Sequence, residues 1–169
     1  FENCTSLIKV KLSKKLEILG GDAFRGCTKL EEIYIPKSLK KVGYEEGPVV
    51  ILSGAFRDSG VKQIQFEGGI TEIANQLFYG CDKLESIELP DTVTSIGNNA
   101  FGSCTKLERV FIPSGVVSIG YDAFSDCIKL GNIVLPDSIT SIETRAFENC
   151  TSLIKVKLSK KLEILGGDA

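Results

Sequence analysis

The sequence predicts an α/β repeat solenoid, a right-handed superhelix of about seven coils in which each coil is a short strand followed by a helical turn. Two observations predict this class. A Phe recurs every 23 residues at 78, 101, 124 and 147. Apolar residues before each Phe alternate with polar ones, which is the strand period, and those after it follow a helical spacing.

The repeat divides residues 1–169 into units of a single solenoid domain. The units are 8–30, 31–61, 62–84, 85–107, 108–130 and 131–153, followed by a partial unit at 154–169. The longer unit carries an insertion at 44–52, and insertions in solenoids form loops. Residues 1–23 are identical to residues 147–169, so a period of 146 residues overlies the shorter one. This longer period is either natural or engineered, and the sequence leaves both open.

Each unit opens with a short strand, of which Ile87-Glu88-Leu89 is an example. Its apolar residues point to one face because successive side chains of a strand alternate. A Pro then ends the strand in four units, because Pro cannot donate to a ladder. These residues are Pro36, Pro90, Pro113 and Pro136.

The second half of each unit returns the chain to the next strand. Val93 and Ile96 turn another apolar edge inward, and Gly97 is expected in a turn that requires positive φ. Ala, Phe, Cys and Leu then fall at i, i+1, i+4 and i+7, which predicts one face of a helical turn, with Asn99 as its cap. One unit cannot bury these side chains alone, so stacked coils must cover one another.

The consensus IPxxVxxIGxxAFxxCxxL resembles the BspA-like leucine-rich repeats of bacterial and protist surface proteins. The resemblance covers the chain except for the insertion, with departures at Glu67 and Ser13 in place of Pro and Glu143 in place of Gly. It implies a leucine-rich-repeat superhelix. It also implies a non-enzymatic protein-binding or adhesion module, the repeat region of a larger cell-surface or secreted protein.

Composition excludes several classes of function. The chain has no His, which removes Ser-His-Asp and Cys-His catalysis and every metal site built with His. We therefore expect no catalytic residues, no metal and no cofactor. A net charge of −2 argues against a nucleic-acid partner, and the longest apolar run, Val49 to Leu52, is too short for membrane insertion.

The six cysteines share one position of the repeat, inside the predicted helical turn. They are Cys4, Cys27, Cys81, Cys104, Cys127 and Cys150. That position belongs to the core, which favours free buried thiols. Disulfides between neighbouring coils are the alternative, because stacked coils would bring the Cα atoms within bonding range.

The candidate protein-binding face consists of outward strand residues that differ from unit to unit. They are Lys11, Tyr34, Gln65, Glu88, Phe111, Val134 and Lys157 in the middle of each strand, with Arg109 two residues before Phe111. Aromatic residues and Arg are frequent interface anchors, so Phe111 with Arg109 is the predicted centre of contact. The alternative is that β-propensity alone selects aromatic and branched residues here.

A second candidate lies in the insertion, where Tyr44, Glu45 and Glu46 form a candidate loop for a partner's Lys or Arg. The alternative is that the insertion is only a surface loop that the solenoid tolerates. The expected partner is a protein, such as a host or matrix protein, and the expected location is the cell surface or outside the cell. A cytoplasmic scaffold that uses the same face is one alternative, since free thiols suit a reducing compartment. A structural or engineered array that self-associates end to end is another.

Overall fold

The computed structural model describes residues 1–42 and 54–169, and this part of the chain is a β-solenoid. Each coil contributes strands to two faces. The strands of the first face are β2 (Glu32–Ile35), β4 (Gln63–Phe66), β6 (Ser86–Glu88), β8 (Arg109–Phe111), β10 (Asn132–Val134) and β12 (Lys155–Lys157). The strands of the second face are β1 (Ile18–Leu19), β3 (Lys41–Val42), β5 (Glu72–Ile73), β7 (Ser95–Ile96), β9 (Ser118–Ile119), β11 (Ser141–Ile142) and β13 (Ile164–Leu165).

All pairings between these strands are parallel and join equivalent positions of adjacent coils. On the first face, β6, β8, β10 and β12 form a four-stranded sheet, and β2 pairs with β4. On the second face, β5, β7, β9, β11 and β13 form a five-stranded sheet, and β1 pairs with β3. A slip of one residue would turn the apolar side chains outward, so the alternation holds this register.

A ladder of stacked Phe side chains runs through the hydrophobic core along the solenoid axis. Seven Phe rings, from Phe1 to Phe147, lie nearly parallel, with 5.3 to 5.7 Å between neighbouring ring centroids. Around the ladder lie the inward residues of the two faces, among them Ile87 and Ile96. Each coil therefore buries its apolar side chains against its neighbours, as the repeat predicts.

The prediction of a helical turn in each coil is wrong. The described residues contain no helix, and the segment that follows β7 is a pair of consecutive turns. Asn99, expected as a helix cap, has a φ of 54°, and Ser103 four residues later has a φ of 59°. Both values lie in the left-handed region.

The backbone hydrogen bonds show what replaces the helix. The N–H groups of Asn99, Phe101 and Ser103 donate to carbonyls of the next coil at 2.7 to 2.8 Å. The N–H groups between them, of Ala100 and Gly102, donate to carbonyls three residues back. Alternate N–H groups thus donate to a neighbouring coil, whereas the N–H groups of a helix donate within the helix. The segment with the helical spacing of apolar residues therefore forms a third hydrogen-bonded ladder between coils.

The count of about seven coils is also wrong, because regular pairing on both faces extends over only about four turns. The first-face sheet stops at β6 and does not continue to β4. After β4 the chain departs from the consensus, with Glu67 in the place of Pro and with Gly68 and Gly69 at φ values of 92° and 93°. The local turn therefore differs from the one that aligns β6, β8, β10 and β12.

The glycine of the consensus serves close packing rather than positive φ, contrary to the sequence expectation. Gly97 does not have positive φ. A Cβ atom there would lie 2.6 Å from Asn75 Oδ1 and 2.8 Å from the carbonyl oxygen of Ile73. At Gly97 the preceding coil therefore passes too close for a side chain.

Candidate protein-binding face

The strands β8 and β10 place the predicted contact residues on the outside of the first face. In β8, Val110 is buried, whereas Arg109 and Phe111 on either side of it are exposed, as the two-residue period of a strand requires. Phe111 keeps 59% of its surface in contact with solvent, and Val134 of β10 keeps 71%. Two apolar side chains are therefore presented outward from adjacent strands.

The parallel register brings part of the predicted row together. Phe111 lies opposite Glu88, and Val134 lies opposite Lys157. Arg109 lies opposite Asn132, which places Phe111 beside Val134 two residues later. The outward residues Glu88, Phe111, Val134 and Lys157 thus form a continuous row across the four strands of this sheet.

A groove of about 840 Å³ covers the centre of this row. Its walls come from β8, β10 and the turns before them, and include Arg109, Phe111, Lys129, Asn132, Val134 and Pro136. An apolar floor of this kind with a few polar groups at its rim is the usual composition of a recognition surface. We call it the Phe111 groove.

Charge at the rim of the Phe111 groove is mixed, with more cations than anions. Glu108 lies 3.9 Å from Arg109 and 4.0 Å from Lys129, measured between carboxylate oxygen and side-chain nitrogen. These side chains are about half exposed, so the pairs are weak and the cations stay available to a partner. The groove therefore suits an apolar group flanked by a carboxylate.

Sequence reasoning missed Lys129 and Pro136 as lining residues. Lys129 belongs to the turn that leads into β10 and reaches the rim from there. A signal for it existed, because Lys precedes the last Leu of the repeat in several units. These residues are Lys29, Lys83, Lys106 and Lys129.

The remaining residues of the predicted row are not joined to this sheet. Tyr34 pairs with Gln65 in the separate β2–β4 ladder, and Lys11 lies outside the named strands. The hydrogen bond to Glu67 raises the pKa of Tyr34. The same bond, with the Lys37 N–H at 3.2 Å, lowers the pKa of Glu67. Tyr34 thus belongs to a local polar contact on another part of the face.

The five buried cysteines do not form a reactive site in the part of the chain that the structure covers. Cys4 is exposed and the other five are buried, all as free thiols. Cys104 Sγ donates to the carbonyl oxygen of Phe78 at 3.1 Å, and the equivalent bond recurs in the other four coils with a buried Cys. Burial raises the pKa of Cys81 to about 12 and of Cys150 to about 11, so these thiols stay protonated near neutral pH.

Within residues 1–42 and 54–169, no group of three or more His, Cys, Asp or Glu side chains is placed to hold a metal ion. Over the same residues, no helix is long and apolar enough to cross a membrane. The candidate loop of Tyr44, Glu45 and Glu46, and the insertion at 44–52, lie outside the described residues.

Comparison with known families decides the identity of the repeat. The family model described as BspA type leucine rich repeat region matches residues 1–46 and 49–169 in six copies. The chain belongs to this BspA-type leucine-rich repeat family. The resemblance inferred from the consensus is therefore confirmed.

Solved structures of bacterial leucine-rich repeat proteins share the fold. A leucine-rich repeat protein from Bacteroides ovatus is 27% identical and matches 99% of this chain and 47% of its own, with a TM-score of 0.74. One from Eubacterium ventriosum is 30% identical over 91% of this chain and 40% of its own, with a TM-score of 0.72. A leucine rich cell surface protein from Faecalibacterium prausnitzii is 28% identical over 84% of this chain and 29% of its own, with a TM-score of 0.56.

This chain spans less than half the length of each of these three structures. A search of curated proteins found no match. The comparisons therefore establish the BspA-type repeat and the solenoid fold, and they assign no role to the Phe111 groove.

Proposed function

We propose that this BspA-type chain is the repeat region of a larger cell-surface or secreted protein and binds a protein partner, without catalysis, through the Phe111 groove. The observation that carries the proposal is the exposed pair Phe111 and Val134 in a groove of about 840 Å³ on a regular four-stranded sheet. The cell-surface protein of Faecalibacterium prausnitzii supports the proposed location.

The sheet suits recognition because it is formed before the partner arrives. Ladders on both faces and the Phe stack hold β8 and β10 from both sides. A rigid surface loses little conformational entropy on binding, so more of the contact energy appears as affinity. Solenoids of stacked repeats commonly bind through such extended surfaces.

The chemistry of the rim specifies the kind of partner segment. The apolar floor of Phe111 and Val134 would take an aromatic or aliphatic side chain, and Arg109 and Lys129 would take a neighbouring carboxylate. We therefore propose an exposed segment of a protein with an apolar residue next to an Asp or Glu.

A display library of random peptides, selected on the immobilised 169-residue chain, tests this proposal. Enriched peptides should combine an apolar residue with an adjacent acidic one. The double variant Phe111→Ala with Arg109→Ala should weaken their binding at least about tenfold, because it removes the aromatic contact and the cation together. Its melting temperature should stay unchanged, since both side chains are exposed.

Tyr121→Ala is the matched control, because Tyr121 is also an exposed aromatic residue but does not line the groove. It should leave binding of the selected peptides unchanged. Equal binding by the double variant and the parent chain would reject the Phe111 groove as the contact surface.

A further inference from the structure

The junction between β8 and β10 has the least complete pairing in the four-stranded sheet. These two strands pair at one position only, Arg109 with Asn132, whereas β6 with β8 and β10 with β12 each pair at three positions. Both strands of the junction line the Phe111 groove. An irregularity between two coils therefore lies beneath the proposed contact surface.

Backbone hydrogen bonds place part of the missing pairing at Gly131. At the preceding junction the N–H of Glu108 donates to the carbonyl oxygen of Glu85 at 2.9 Å. At the following junction the N–H of Ile154 donates to the carbonyl oxygen of Gly131 at 3.0 Å. The N–H of Gly131 is the equivalent donor between β8 and β10, and within the described part of the chain it donates to no backbone carbonyl.

The other end of the junction is open as well. Ile112 follows β8 and is partly exposed, whereas the equivalent Leu89 and Leu135 are only 3% and 2% exposed. The N–H of Leu89 donates to the carbonyl oxygen of Phe111 at 3.2 Å, but among the described residues the N–H of Ile112 donates to no carbonyl of the next coil. The two strands thus separate on both sides of their single pair, which deepens the groove.

Gly131 leaves the approach to its own N–H uncovered. The equivalent residues of the two preceding coils, Glu85 and Glu108, carry exposed side chains. Gly131 does not have positive φ, and a Cβ atom there would come no closer than 3.9 Å to the carbonyl oxygen of Ser152. Neither backbone conformation nor packing requires glycine here. Its effect is to open the groove down to the main chain.

Two cationic side chains line the groove together with Gly131. They are Arg109 and Lys129. The Glu108 carboxylate lies 3.9 Å from a nitrogen of Arg109 and 4.0 Å from the nitrogen of Lys129. Both distances are too long for a hydrogen bond, so both cations keep donor capacity. Two cations and a free N–H at one end of the groove favour an anionic oxygen.

Building on the function proposed above, we infer that the Phe111 groove binds the acidic residue of the partner segment at Gly131. One carboxylate oxygen accepts the N–H of Gly131, and the other lies between Arg109 and Lys129. The partner's carboxylate takes the place of the Glu108 side chain, which is about half exposed and turns to solvent. The main chain of this coil is thus part of the recognition site.

A main-chain donor changes what the groove can distinguish. Exposed ion pairs contribute little and weaken with salt, because counterions screen them. A hydrogen bond from an N–H to a carboxylate is directional and charge-assisted, and the N–H loses no side-chain rotamers on binding. The groove should therefore distinguish a carboxylate from the neutral amide even in high salt.

Two capped peptides, Ala-Leu-Asp-Ala and Ala-Leu-Asn-Ala, test this distinction by NMR titration of the 169-residue chain. In about 1 M NaCl, where the Debye length is about 3 Å, the Asp peptide should bind at least about fivefold more tightly than the Asn peptide. Equal affinities, or no binding of either peptide, would overturn the inference.

Gly131→Val covers the N–H with a branched apolar side chain. It should fold, because Ile154 occupies the equivalent position one coil later. It should reduce the preference for the Asp peptide to less than about twofold. Glu85→Val is the matched control, since it places the same side chain at the same repeat position outside the groove, and it should keep the preference. An unchanged preference in Gly131→Val would contradict the role of this N–H.

Glu108→Gln tests the exchange of carboxylates. Because it removes the charge that competes for Arg109 and Lys129, it should strengthen binding of the Asp peptide several-fold. Binding of the Asn peptide should change less. Weaker binding of the Asp peptide to this variant would contradict the exchange.

The amide resonance of Gly131 reports the hydrogen bond itself. Before peptide is added, this N–H should exchange with solvent faster than the paired N–H of Glu108. The Asp peptide should slow the exchange and move the proton resonance downfield, and the Asn peptide should do so less. Equal protection of the two N–H groups in the free chain would overturn the inference.

Failure of this inference is distinguishable from failure of the proposed function. If Phe111→Ala with Arg109→Ala abolishes binding but Gly131→Val keeps the preference for Asp, the groove remains the contact surface and Gly131 has no part in it. If the double variant binds as the parent chain does, the groove itself is rejected.

Discussion

At the residue scale, cysteine is suited to its place because it combines a small apolar side chain with a weak hydrogen-bond donor. Cys104 fills a fully buried position and donates to the carbonyl oxygen of Phe78, which also accepts the N–H of Cys81. A larger residue would have to displace packed neighbours at this fully buried position, and alanine would leave the second lone pair of that carbonyl without a partner. The thiol thus connects adjacent coils.

This burial predicts a loss of stability at alkaline pH. Burial raises the pKa of Cys81 from 9.0 to about 12, although the hydrogen bond with Ser59 partly opposes the shift. The protonated thiol contributes fully below pH 9, and the contribution disappears as pH rises from 9 towards 12, because the unfolded chain releases the proton first. The contribution lost by pH 10 is about 1 kcal/mol.

Urea unfolding at pH 8 and pH 10 measures this loss. Cys81→Ala should make the free energy of unfolding less dependent on pH over that interval than in the parent chain. Ile128→Ala, which changes an exposed apolar residue, should leave the dependence as it is. An equal pH dependence in Cys81→Ala and the parent chain would contradict the argument.

At the scale of the element, each coil alternates between bonds to itself and bonds to its neighbour. The left-handed residues Asn99 and Ser103 turn alternate N–H groups towards the next coil. The glycine before them allows the preceding coil to approach, as the position of Asn75 beside Gly97 shows. Close approach and turn geometry together set the spacing at which the ladders form.

Alanine substitutions at two glycines test whether the consensus glycine is required for close packing between coils or for its backbone conformation. Gly97→Ala should lower the free energy of unfolding by about 1–3 kcal/mol, because its Cβ would overlap backbone and side-chain atoms of the preceding coil. Gly167→Ala is the control, since a Cβ there would have no atom within 4 Å and the residue does not have positive φ. Chemical denaturation of both variants checks this, and equal stability would contradict the packing argument.

At the scale of the whole molecule, the chain is a one-dimensional stack in which each coil contacts only its neighbours along the axis. Phe101 and Phe124 each lie between two rings, whereas Phe1 stacks on one side alone. Within this stretch of 169 residues, the central coils are covered on both edges, and the first and last described coils are covered on one. When the 169 residues are studied by themselves, stability should therefore fall from the centre of the stretch towards its two ends.

Amide hydrogen exchange followed by mass spectrometry checks this gradient. Amides in 95–125 should exchange most slowly, and those of residues 1–23 and 147–169 most rapidly. Because the two terminal coils have the same sequence, their identical peptides report both ends together. Uniform protection along the chain would mean that the solenoid opens as a single unit.

The repeat pattern alone was sufficient to predict the family, the inward apolar positions of each coil and the outward position of Phe111. These follow from spacing along the chain, because stacked units must place equivalent residues at equivalent points. Only the packed coils decided three further features: the turns in place of a helix, the reach of the sheet over about four turns, and the Phe111 groove with Lys129 at its rim. The physical reason is the same for each. They depend on hydrogen bonds and contacts between neighbouring coils, and the local propensity of a single unit carries no information about them.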